Sequence, residues 1–142
     1  MATVQQVYDI AIHLMDEQLE TTGETVTEDT REYKFRTLSI LNSVIPALYP
    51  YSGNFDGSGV GRPACRMLYT EDHSNPDFEQ NIPLDSTLTF ACLPYYLAAQ
   101  LLSGENDILA NWFMTRYRET LADLKNKVPA SFEAISTPYG TF

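Results

Sequence analysis

"LTFACLPYYLAAQLLSGENDILANWFMTRYRETLADL", residues 88–124, is the most patterned part of this 142-residue chain. An apolar run containing Pro94 reaches Gly104, and a second run rich in aromatics follows. Asp85 or Ser86 suits the cap of a helix from Thr87 to about Ser103, because a short polar side chain accepts a bond from the first free N–H groups. Pro94 removes one backbone donor and crowds the carbonyl of Phe90. A kink is expected there, or a short turn with the helix starting near Pro94. Gly104 suits a left-handed C-terminal cap. Asn106 suits the cap of the next helix, Asp107 to about Lys127. The apolar stripe of that helix is Leu109, Phe113, Tyr117, Leu121 and Leu124, with Ile108 and Trp112 beside it. Asp107 at its start and Lys125 and Lys127 near its end complement the helix dipole. So short a link predicts an antiparallel αα-hairpin.

Working outward toward the N-terminus, Val4, Val7, Tyr8, Ala11, Leu14, Met15 and Leu19 recur at helical spacing and predict an amphipathic helix over residues 3–20, broken near Gly23. A second helix is expected from about Glu28 to Leu48. Thr25 with Glu28 has capping-box spacing, and Thr27 is a rival cap. Its stripe reads Phe35, Leu38, Leu41, Ile45 and Leu48, while Ile40 and Val44 point to burial on more than one face. Pro46 is expected to kink this helix or end it early. Residues 50–84 form a long irregular insert, with Gly53, Gly57, Gly59 and Gly61 close together and Pro76 and Pro83 further on. Within it "ACRMLY", residues 64–69, reads as a short strand. The tail, 128–142, is too broken by Pro129, Pro138 and Gly140 to be helical throughout, yet it carries Phe132, Ile135, Tyr139 and Phe142. The whole is one all-α domain, a small bundle of about four helices.

Composition narrows the function. The chain is 44% hydrophobic, enough for a core, and has a formal net charge of −10. Residues 1–32 hold eight acids and one base, residues 33–70 one acid and four bases, and residues 71–106 six acids and no base. No Lys/Arg cluster of the kind that holds phosphates is present, which disfavours direct nucleic-acid binding. The longest apolar stretch is too short for a bilayer span. The N-terminus lacks the basic-then-apolar order of a signal peptide, so a soluble intracellular protein is expected. Cys65 and Cys92 have no zinc spacing and are expected to be buried thiols.

No chemistry stands out. His13 lies near the first apolar stripe and reads as structural. His73, among Glu71, Asp72 and Asp77, fits no calcium or zinc pattern. "GSGVGR", residues 57–62, lacks the Lys and Ser/Thr of a phosphate loop and reads as a turn. No catalytic residue, metal or cofactor is expected. The residual signal is aromatic. Trp112, Arg116 and Arg118 on the fourth helix, with Phe132, Ile135, Tyr139 and Phe142 on the tail, are candidate interface residues, since Trp, Tyr and Arg are enriched where subunits meet.

Residues 81–127, "NIPLDSTLTFACLPYYLAAQLLSGENDILANWFMTRYRETLADLKNK", resemble the C-terminal half of bacteriophage head–tail connector (adaptor, or neck) proteins. The residues that carry the resemblance are Leu93, Pro94, Tyr95, Tyr96, Leu97, Ala98 and Ala99, then Glu105, Asn106 and Asp107, then Ala110, Phe113 and Tyr117. The tail "AISTPYGTF" is similar in style to the Tyr-Gly endings of some relatives. The match covers about a third of the chain, and it is not a catalytic motif. It implies a small helical subunit that forms a ring beneath the portal protein, extends the DNA channel and receives the next neck or tail protein. On that reading the protein resides in the virion at the head–tail interface, and in the bacterial host cytoplasm before assembly. Pairing of the acidic residues 1–32 with the basic residues 33–70 of a neighbour, and an acidic channel lining that DNA passes without specific binding, are compatible expectations. The alternative is a generic bacterial helical interaction or regulatory module.

Overall fold

Four helices appear in the computed structural model, which describes residues 2–17, 20–27, 30–52, 64–72, 75–127, 136–137 and 140–141. They are α1 (Val4–Leu14), α2 (Arg31–Leu48), α3 (Ser86–Leu102) and α4 (Asp107–Lys127). A 3₁₀ turn, Tyr49–Tyr51, extends α2. Two two-residue strands, β1 (Ser136–Thr137) and β2 (Gly140–Thr141), pair antiparallel in the tail. The all-α reading holds, with that small pair added.

The central element is α3. Leu88, Cys92, Leu93, Leu97, Leu101 and Leu102 are buried around its circumference, and α1, α2 and α4 all pack on it. A helix apolar on every side must be enclosed on every side. It starts where expected: the Asp85 carboxylate accepts from the Thr87 N–H at 3.2 Å. It then runs without interruption through Pro94 to Leu102, so no new helix begins at the proline. Buried Ala98 and Ala99 let a neighbouring helix approach closely. The hairpin also matches its reading. Gly104 has φ +92°, which a side chain would strain, and the Asn106 side chain accepts from the Leu109 N–H at 3.1 Å. Along the seam, Tyr96 meets Tyr117 with ring centroids 5.1 Å apart and Tyr95 meets Phe113 at 6.4 Å.

The start of α1 falls where expected, and its end does not. Its start carries a capping box: Thr3 Oγ1 accepts from the Gln6 N–H, and Gln6 Oε1 accepts from the Thr3 N–H. The next two free donors, the Val4 and Gln5 N–H groups, bond to the Gln80 and Phe78 carbonyls at 3.1 and 2.8 Å. The Ile82 N–H returns a bond to the Ala2 carbonyl at 2.8 Å. Residues 78–82 therefore close the helix start. The helix ends at Leu14 rather than near residue 20. Asp16 takes φ +58°, the Glu17 N–H reaches back to the Ile12 carbonyl and the Asp16 N–H to the His13 carbonyl. This is a Schellman stop with aspartate where glycine is usual. His13 stands exposed on α1 with Nε2 3.2 Å from the Gly23 carbonyl oxygen.

The second helix starts at Arg31, three residues later than expected. Thr30 stands at its cap but turns its hydroxyl elsewhere, donating to the Thr25 carbonyl at 2.7 Å and accepting from the Thr27 N–H at 2.9 Å. The hydroxyl of Thr25 is engaged by Asp9 (2.6 Å), so it does not cap α2, and its expected partner Glu28 lies outside the described residues. The buried face of α2 is Tyr33, Thr37, Leu38, Leu41, Val44, Ile45 and Leu48. Phe35, placed on the stripe by the sequence reading, is 40% exposed because Tyr33 and Thr37 take the inward phase. The helix passes through Pro46 to Leu48.

The insert is less detached than its composition implies. Leu68, Phe78, Ile82 and Leu84 join the core. Residues 64–69 form no strand: side-chain amides, instead of a neighbouring strand, hold the backbone at Leu68 and Tyr69. The Asn42 amide bonds both the N–H and the carbonyl of Leu68, and the Gln80 amide does the same for Tyr69. Cys92 is buried as expected, but Cys65 is exposed, since this segment turns only Leu68 inward. Residues 57–62 and His73 lie outside the described residues.

Candidate interaction surface

The turn between α3 and α4 presents the most exposed large apolar side chains of the hairpin. Ile108 is 86% exposed and Trp112 53%. They stand four residues apart, so they share one face of α4. The backbone beneath them is fixed. Asn106 caps the helix, and the Asp107 carboxylate accepts from the Gly104 N–H at 3.0 Å. The Trp112 ring stands edge-on to buried Phe113, with centroids 5.1 Å apart. With Asn106 and Leu109 these residues border a shallow apolar hollow of about 570 Å³.

One turn further on, Arg116 shares that face but is already engaged. Its guanidinium lies over the Tyr95 ring at 5.8 Å and bonds Glu119 at 3.0 Å. Arg118 is exposed, about 240° around the helix from Trp112, so it belongs to another face. The structure thus unites Trp112 with Arg116 and separates Arg118 from them. Phe132, Ile135, Tyr139 and Phe142 lie outside the described residues.

A second surface went unnoticed in the sequence. Met67 (74% exposed) and Tyr69 (69%) project from the extended segment, and Phe35 stands opposite them on α2. Together with Leu38 and Asn42 they line a groove of about 440 Å³. The two bidentate amide clamps hold this segment in register. The available signal was the two-residue alternation of Met67 and Tyr69 about buried Leu68.

The corner between these regions is tied by polar contacts. The Tyr33 hydroxyl donates to the Glu105 carboxylate at 2.6 Å. Arg36 donates to the Gln100 and Leu101 carbonyls, which end α3 without partners of their own. Burial, reinforced by the bond to Glu105, pushes the Tyr33 hydroxyl above the usual tyrosine range. Burial likewise raises the Cys92 thiol to about 11 and, with Cys92 and Tyr96 nearby, the Tyr117 hydroxyl to about 12. These groups stay protonated at neutral pH and act as packing and hydrogen-bonding elements. Among the described residues no three His, Cys, Asp or Glu side chains gather in a way that could hold a metal, and no described helix is long and apolar enough to cross a membrane. No protein-family model, no curated protein and no solved structure matches the chain.

Proposed function

We propose that this chain is a structural subunit of a phage or prophage head–tail connector, assembling as a ring between the portal protein and the next neck or tail component. It works by subunit packing, without catalysis or cofactor, in the bacterial cytoplasm during assembly and in the virion afterwards. The observation that carries the reading is the hairpin of α3 and α4. It is the segment with the connector resemblance, and it holds Ile108 and Trp112 in water on a capped, rigid helix start. Large apolar side chains kept exposed on a fixed backbone are suited to burial by another protein surface. The acidic balance of the chain, −10 overall, suits a channel component that DNA passes without adhering.

The test combines negative-stain imaging with co-sedimentation on portal rings purified from the phage or prophage that encodes the chain. Rings of the protein, alone or seated on the portal, are expected. A chain that neither binds portal rings nor occupies the neck of assembled particles refutes the proposal. Binding to a host regulator instead would favour the helical interaction module.

A further inference from the structure

The two exposed apolar surfaces differ in place and flanking charge, and we infer that they dock on each other between copies: the exposed Ile108 and Trp112 side chains of one chain, the ridge, enter the Phe35–Met67–Tyr69 groove of the next. This deepens the connector reading, on which it rests for the closed ring.

Direction comes from α2. Its Tyr33 side chain touches Glu105, so that side of α2 faces the corner bearing the ridge. The residues α2 gives to the groove are Phe35, Leu38, Ser39 and Asn42. At 3.6 residues per turn they lie between about 140° and 240° around the helix from Tyr33. The groove and the corner bearing the ridge therefore lie on opposite sides of α2. No single copy can satisfy its own groove with its own ridge. A contact between two different patches is head-to-tail and propagates, giving a ring where the rotation closes.

Charge supports the same partner. Glu105 and Asp107 flank the ridge, and the next base along α4 is Arg116, two turns on. Arg31 and Lys34 stand one helical turn before Phe35 and Leu38, and the Arg31 guanidinium lies over the Phe35 ring at 5.6 Å. The groove rim is thus basic at its Phe35 end, while Glu71 lines it and Asp72 and Asp77 stand near Tyr69 at the other. In a chain with nineteen acids and nine bases, a basic rim favours an acidic occupant, and this chain offers one. The groove is also pre-formed. The Asn42 and Gln80 clamps fix the backbone of residues 68 and 69, so the backbone that carries Met67 and Tyr69 needs little ordering on docking.

The experiment uses the full chain and two variants, Trp112→Ser (ridge) and Tyr69→Ser (groove), followed by native mass spectrometry and light scattering over a concentration series. Both side chains stand largely in water, and thermal melts of the variants are expected to overlay that of the parent. Wild type is expected to assemble beyond a dimer. Each variant alone should associate at least about tenfold more weakly. An equimolar mixture should stop at a one-to-one dimer, because it retains one intact ridge and one intact groove. Added salt should weaken wild-type assembly. If both variants assemble like wild type, the docking is wrong while the connector reading stands. If Trp112→Ser stays monomeric but Tyr69→Ser assembles, the contact is not head-to-tail. A wild type that stays monomeric throughout overturns the docking, and its recruitment to portal rings then decides the connector reading separately.

Discussion

The two arms of the hairpin, α3 and α4, are of similar length and share a seam, yet they obey different rules. Leu93, Leu97 and Leu101 are fully buried, and the fit around α3 decides stability. Across the seam, Phe113 and Tyr117 are buried while Ile108 and Trp112 on the same helix stand in water. One arm is a core with helices around it, and the other is a wall with an inner and an outer face. Apolar content alone does not distinguish them, because exposed Ile108 is as apolar as any residue of α3. What separates them is how many sides have neighbours.

The largest test of this contrast is Leu97→Ala, which removes a fully buried side chain and leaves a cavity. A loss of about 2–5 kcal/mol is expected in denaturant titrations. A loss below that range would mean that α3 is enclosed less tightly than its buried leucines imply. Next in size is an alkaline effect at the seam. Unfolded, Cys92 and Tyr117 titrate near their ordinary values of 9.0 and 10.0; folded, burial holds them near 11 and 12. Above pH 9 the unfolded chain releases protons that the folded chain keeps, so stability is full below pH 9 and falls as pH rises toward 12. Thermal melts from pH 8 to 11 should show this, and Cys92→Ala should delay its onset toward the tyrosine range. A melting temperature flat to pH 11 would contradict the burial of the seam.

Smaller effects belong to the outer arm. Asn106→Ala removes the cap of α4 and should cost about 1 kcal/mol, with the added hydrogen exchange confined to the first turn. Trp112→Ala should change stability by no more than about 0.5 kcal/mol, since its ring is largely solvated and already rests on Phe113. A substantially larger loss would place Trp112 with the core residues and erase the distinction between the arms.

The hairpin was legible because its signals are local. Spacing, Gly104 and Asn106 all report on their own neighbourhood, and all appear in the structure as read. The Thr3–Gln6 box was equally local and was overlooked. The end of α1 was hidden because Asp16 does the work usually given to glycine. The phase of α2 differs from its apolar stripe because two polar residues turn inward: the Tyr33 hydroxyl finds Glu105 across the fold, and the Thr37 hydroxyl bonds the Tyr33 carbonyl one turn back. Residues 64–69 read as a strand because their alternation is strand-like, and no sequence rule reveals that the amides of Asn42 and Gln80 replace the neighbouring strand. On the candidate surface, Trp112 was identified in advance, whereas the groove was not. Its walls come from α2 and from a segment some thirty residues later, and only folding joins them.

The closure of α1 by residues 78–82 has a consequence for how the chain is made. The helix is synthesised well before the carbonyls that satisfy its leading amides, which belong to Phe78 and Gln80. The chain must leave the ribosome as far as Gln80 before that end is complete. Such distant contacts bring a loop-closure cost that a hairpin of neighbours avoids. The start of α1 therefore waits, frayed, while α3 and α4 need only each other to begin.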